Sequence, residues 1–292
     1  MIQLLEKDKV NPERIVVIGA KGFISSHLII ALEKLRLSIL AVSSNQIDLT
    51  DEKSVEALKS ILMPTDTVVF VSALTPDKGK DASTLVKNIK MVEHFLLALK
   101  QRPVRHLVYI SSDAVYSDHD FYVRENSPCN PSSFHGVMHL TREVLFKTQC
   151  AEQKIPIAIL RPSAIYGAQD THGSYGPNRF LKTAHKDKMI ALFGAGEEKR
   201  DHVYIADVVD IIQNCILRKA VGTLNVVSGH SISFMDIAKI IQKKLPEPVE
   251  IKTSGRTNPV VHKSFDILDL MTAFPDFKLT PIEEGISLTL SL

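Results

Sequence analysis

Gly19, Gly22 and Ser25 stand at three-residue intervals between an apolar, β-branched run at 15–18 and a stretch at 23–35 whose apolar residues recur at helical spacing. Glycine at the first two positions lets the backbone turn tightly and approach a pyrophosphate. The phosphate charge is then met by the free N–H groups and positive dipole end of the helix. The spacing therefore predicts a dinucleotide site formed by Gly19, Lys21, Gly22, Phe23 and Ile24. An acidic residue about 20 positions after the glycines would bind the ribose 2′-hydroxyl of NAD. Ser43, Ser44 and Asn45 stand there instead, and Lys21 could attract a 2′-phosphate. NADP is the expected cofactor, with NAD as the alternative. A second set of able side chains, His135, His139 and Glu143, is spaced i, i+4 and i+8 along one face of a helix. The two histidines could share a metal, but the glutamate of an HExxH pattern is missing, so no metal is expected.

These residues need a scaffold, and the apolar pattern supplies one. Short apolar runs at 37–42, 67–71, 107–110 and 155–160 read as buried strands, 51–62 and 85–99 as helices, and 142–150 as part of a longer helix. Wholly apolar strands alternating with helices predict an α/β fold, a doubly wound parallel sheet of Rossmann type covered on both faces. After Gly167 the rhythm breaks into a polar stretch, 168–178, where substrate-contacting segments beyond the strand ends would begin. Helical spacing returns at 206–216 and 234–245, with a strand at 223–227 between. The expected organisation is a dinucleotide-binding domain over 1–167, with 201–228 packing back onto it. A smaller substrate-capping region would comprise 168–200 and 229–292.

With 292 residues, 45% of them hydrophobic and 23% charged, the chain can bury a large core. A net charge of +2 and the lack of long basic runs exclude a nucleic-acid or membrane-surface footprint and favour a small-molecule partner. Cys129, Cys150 and Cys215 are odd in number and fit no CxxC spacing, so they are expected to be buried thiols of a reducing compartment. The first ten residues contain no signal-peptide core, and no apolar run reaches the roughly 18 to 20 residues of a membrane helix. A cytoplasmic protein is expected.

Taken in order, six segments resemble the extended short-chain dehydrogenase/reductase family in its sugar-nucleotide epimerase/dehydratase branch. They are IGAKGFI at 18–24, DLTD at 48–51, LVYISSDAVY at 107–116, LRPSAIYG at 160–167, RDHVYIAD at 200–207 and TLNVVSG at 223–229. The resemblance implies that Asp48, with Leu49, meets the adenine and that Ser72 and Ala73 line the cofactor. It makes Ser112 the hydroxyl that orients the substrate's reacting oxygen and Arg200 the residue that grips a substrate diphosphate, a task suited to a planar five-donor guanidinium. Ser112 could otherwise only cap its strand, and Arg200 only pair with Asp201. Asn178 is assigned to the substrate, expected to be a nucleotide-diphosphate sugar. The resemblance also favours a homodimer through the two helices flanking the cleft.

The family's chemistry uses Tyr-x-x-x-Lys ahead of the fifth strand. Counting back from Glu143 places His135 at the tyrosine and His139 at the lysine, and no other register restores the pair. Two accounts follow. In the first, an imidazole with a reference pKa near 6.5 exchanges a proton with a sugar hydroxyl without a neighbouring cation. His135 is then the acid/base, His139 holds the nicotinamide ribose, and Asp113 orients or protonates a leaving group, although the dehydratases' partner glutamate is Ala114 here. In the second, catalysis has lapsed and the chain is a dinucleotide-binding sensor or regulator.

Overall fold

The computed structural model describes residues 2–118, 120–170, 172–173, 176–256 and 259–291. A seven-stranded sheet forms its centre. Its strands are β1 (Gln3–Leu4), β2 (Arg14–Ile18), β3 (Ile39–Val42), β4 (Asp66–Phe70), β5 (His106–Ile110), β7 (Ile157–Pro162) and β11 (Ala220–Val226). The order is β1-β11-β7-β5-β4-β2-β3, and every pairing is parallel except that of β1 with β11. The doubly wound α/β fold is as the sequence predicts.

Successive side chains of a strand point to opposite faces, so a strand covered on both sides must be apolar throughout. Ile15 and Val17 of β2 enter one core with α1 (Phe23–Lys34) and α6 (Ile205–Leu217). Val16 and Ile18 enter the other with α2 (Ser54–Ile61), α3 (Ala82–Gln101) and α4 (Phe134–Gln153). All four of these strand residues are at most 1% exposed, and each such burial is worth about 1.5–3 kcal/mol.

The remaining elements lie beyond the strand ends. Strands β8 (Ala164–Tyr166), β10 (Lys199–Tyr204) and β12 (Ser231–Ser233) form one small sheet. β9 (Met189–Phe193) pairs with β13 (Glu250–Ser254), and β6 (Tyr122–Val123) with β14 (Ser264–Phe265). Helices α5 (Pro177–Asp187), α7 (Phe234–Lys244), α8 (Leu268–Ala273) and α9 (Ile282–Leu290) complete the chain. Among the described residues, no helix is long and apolar enough to cross a membrane.

The longer helix that holds 142–150 begins at Phe134, capped by the Ser133 hydroxyl, which accepts from Gly136 N at 3.2 Å, and it contains both histidines as expected. One expectation changes. Cys150 and Cys215 are buried, whereas Cys129 is only half-buried because it lies in the loop ahead of α4.

Candidate active site

In the sheet order β2 and β4 are neighbours, with β3 continuing to one side and β5 to the other, which makes the switch point where such sheets open a crevice beyond their carboxyl ends. A cavity of about 510 Å³ occupies this crevice. Its wall contains Gly19, Lys21, Gly22, Phe23, Ile24, Asp48, Leu49, Ser72 and Ala73, together with Ser112, Asp113, His135 and His139.

The glycine turn is built for close approach. Gly19 has φ +96°, and a Cβ there would lie 2.8 Å from Ser72 N, so only glycine lets β2 turn against the exit of β4. Gly22 begins α1 with no side-chain cap and no acidic residue in the first turn, which leaves the first-turn amides for an anion. Ser25, in the third position, is fully buried, and among the described residues its hydroxyl has no hydrogen-bond partner. Lys21 is exposed at the rim. Asp48 accepts from Thr50 N at 2.9 Å and Thr50 Oγ1 at 2.8 Å, which fixes its carboxylate at the far end of the cavity wall. A dinucleotide fits these residues: the amides suit a pyrophosphate and the missing Cβ of Gly19 gives it access.

The first turn of α4 presses on a short 3-10 turn at Asp113–Val115. A Cβ on Gly136 would meet Ala114 O at 2.1 Å, so glycine permits the contact that sets His135 and His139 beside Ser112 and Asp113. The two imidazoles meet edge to face with centroids 4.6 Å apart. His139 Nδ1 lies 2.8 Å from the Tyr109 hydroxyl. The Arg142 cation lies near the same phenol. A phenol proton given to Nδ1 would leave His139 as the Nε2–H tautomer, a neutral donor. Burial pushes the His135 imidazole down to about 4, with Arg142 and His172 adding to the shift. His139 is driven well below its ordinary value by burial, then by His135 and Arg142. Both rings are neutral at pH 7.

Arg142 is fully buried. It donates to Asn88 O at 2.6 and 3.1 Å, Asn88 Oδ1 at 2.9 Å and Ser72 O at 2.8 Å. Carbonyl oxygens in place of a carboxylate hold this cation against the cavity wall, and through it α4 is tied to the exit of β4. Beneath the site, Glu143 accepts from Ser111 Oγ at 2.7 Å and from Arg161 at 2.6 and 2.8 Å.

A second cavity, about 500 Å³, adjoins the first, and Asp113 and Ala164 line both. Burial raises the Asp113 carboxyl above the usual range, with Lys263 and Arg200 opposing the shift. The Ser112 hydroxyl accepts from Ala114 N at 3.1 Å. Arg200 lines the second cavity, but its carboxylate partner is Glu198, reached at 2.7 and 2.8 Å, and not Asp201. Asp201 is instead held by Ser163 and Ser228. Arg256 bonds to the other oxygen of Glu198. Asn178 lines neither cavity: its amide accepts from Gly167 N at 3.0 Å and donates to Asp170 at 2.8 Å, pinning the loop that precedes α5. Tyr109, Arg142, Arg256 and Lys263 were not legible as site residues, since no spacing pattern marks them.

The chain is similar over 258 residues, at 27% identity, to an uncharacterized UDP-glucose epimerase of Bacillus subtilis, a match covering 78% of this chain and 81% of that one. It is 23% identical to a dTDP-4-dehydro-6-deoxy-D-allose reductase of Streptomyces bikiniensis over 94% of each chain. Among solved structures, the UDP-glucose 4-epimerase of Thermotoga maritima with UDP-glucose superposes with a TM-score of 0.82 at 21% identity, covering 95% of this chain and 97% of that one. A GDP-L-fucose synthetase of Naegleria fowleri bound to NADP gives 0.86 at 14% identity, covering 99% and 96%. Residues 15–226 match the family model described as NAD dependent epimerase/dehydratase. With the phosphate turn, the switch-point cavity and this match over most of its length, the chain belongs to the NAD dependent epimerase/dehydratase family.

Proposed function

We propose that the protein binds NADP(H), with NAD(H) as the alternative, and exchanges a hydride at a carbon of a nucleotide-diphosphate sugar. The observation that carries this reading is the common border of the two cavities, which share Asp113 and Ala164 in their walls. A dinucleotide laid along the glycine turn directs its far end toward this border, and a sugar whose diphosphate rests on Arg200 meets it from the other side. Residues 1–167 with 201–228 hold the cofactor in this reading, and 168–200 with 229–292 cap the substrate.

The bound nicotinamide supplies hydride acceptance and donation. The protein's own groups orient and move the proton. His135, neutral at pH 7, accepts it from a sugar hydroxyl that Ser112 orients, or returns it. Its depressed basicity makes proton acceptance about 3 kcal/mol less favourable than for an ordinary imidazole. His139 Nε2–H donates toward the nicotinamide ribose, as an ammonium would. Asp113, with its raised affinity for a proton, stands where a leaving group could be protonated.

The low basicity of both histidines also favours a second reading, a dinucleotide-binding regulator that does not turn over a sugar. Incubation with NADPH, NADP, NADH or NAD and a panel of UDP-, dTDP-, GDP- and CDP-sugars, followed by product chromatography, separates the two. Conversion supports the enzyme; cofactor binding with a wholly inert panel supports the regulator.

A further inference from the structure

We propose that Lys263 is a substrate-binding residue whose ammonium receives an oxygen of the sugar ring beside the reacting carbon; this rests on the nucleotide-sugar reading above. Lys263 comes from the segment just before β14, 150 positions from Asp113. It lines the second cavity next to Asp113, which borders both cavities.

Its bonding is incomplete. The residue is only 3% exposed, yet among the described residues its three ammonium donors make one hydrogen bond, 3.3 Å to the main-chain oxygen of Asp113. The rings of Tyr116 and Phe265 also lie near it, each with a centroid 5.9 Å from Nζ, as does the Asp113 carboxylate. Ring faces steady a cation but do not replace an acceptor. An ammonium withdrawn from water without its acceptors carries a desolvation penalty that a ligand oxygen would relieve.

The backbone around it is fixed. Lys263 N donates to Lys199 O at 3.1 Å, Lys263 O accepts from Ser231 Oγ at 2.7 Å, and Ser264 N donates to Phe121 O at 2.8 Å. The head group is therefore delivered to one place. The charged groups that bear on Asp113 there are Lys263, Arg200 and Asp201, and the Asp201 carboxylate is already saturated by Ser163 and Ser228. Arg200 and Arg256 converge on Glu198, which assigns the diphosphate to the guanidinium pair and leaves the ammonium for the sugar. A neutral oxygen acceptor of the sugar, such as a hydroxyl oxygen, or a keto oxygen formed at the neighbouring carbon, is the chemistry it would take.

Calorimetric titration tests the assignment, using UDP-, dTDP-, GDP- and CDP-glucose and the four matching nucleoside diphosphates against wild type, Lys263→Met and Lys263→Arg. Lys263→Met should weaken the nucleotide sugar by about ten- to a hundredfold, the effect of one charge-assisted hydrogen bond. The free diphosphate and NADPH should bind as before, and Lys263→Arg should recover part of the loss. An equal loss for sugar and diphosphate, or no loss for the sugar, overturns the role of Lys263 and leaves the Arg200 reading standing. Wild-type protein that binds none of the eight nucleotides overturns the substrate reading and this inference with it.

Discussion

The Tyr109 hydroxyl stands 2.8 Å from His139 Nδ1, so the helix histidine is tied to a phenol on the central strand. ¹⁵N-detected NMR of histidine-labelled protein should show His139 with an unprotonated Nδ1 and a protonated Nε2 from pH 6 to 8. Tyr109→Phe removes the donor and should let the other tautomer appear. Its stability cost should be about 1 kcal/mol, that of one net hydrogen bond. A protonated Nδ1 in the wild type would contradict the network.

His135→Ala should lower turnover by about 10²–10⁴-fold, the usual contribution of general acid–base catalysis, while leaving cofactor affinity unchanged. The imidazole is displaced to about 4 by burial, Arg142 and His172. The acid limb of kcat/KM should therefore fall near that pH and not near 6.5. Unchanged turnover in the variant would remove His135 from the reaction.

Gly19→Ala should abolish dinucleotide binding. The new Cβ would sit 2.8 Å from Ser72 N in a backbone conformation, φ +96°, that L-residues rarely adopt. Strain of this kind costs about 1–3 kcal/mol of stability. Fluorescence titration with NADPH and a denaturant melt report the two effects separately.

Stability should fall as the solution is acidified from pH 6.5 to 4. His106 is buried on β5 with Nε2 2.7 Å from Ala220 O, and desolvation lowers it to about 4. Below 6.5 the unfolded chain takes a proton that the folded one refuses, so the folded state loses ground until the folded value is reached. This single group accounts for at most about 3 kcal/mol across that window. His106→Gln should flatten the corresponding part of a urea-denaturation series measured against pH.

The central strands and the phosphate turn were legible because their signals are local. A strand covered on both faces must be continuously apolar, as 15–18 and 107–110 are, and the glycine turn is a matter of three-residue spacing. The shortest strands outside the central sheet, β6, β8, β12 and β14, were not legible, since they span only two or three residues and have no periodicity to read. The register that put His135 and His139 in the cavity came from the family resemblance. What those histidines can do came from Tyr109 and Arg142, whose contacts with α4 and α3 join residues 30 and 54 positions apart. Lys263 lies further still from its partner. Asn178 shows the converse: a polar residue at the end of a polar stretch is engaged in holding its own loop.

Strand β1 lies antiparallel along β11, with Gln3 opposite Val221 and Leu4 opposite Ala220, and Glu6 N and Val10 N donate to Arg218 O and Leu217 O. These few residues cover the outer rim of the parallel sheet. Trimming the protein back to Asn11 would bare a row of unsatisfied amides and carbonyls on an apolar strand, a template for stray chains to stack upon. Residues 3–10 thus shield backbone that would otherwise be open to strand pairing by a second chain.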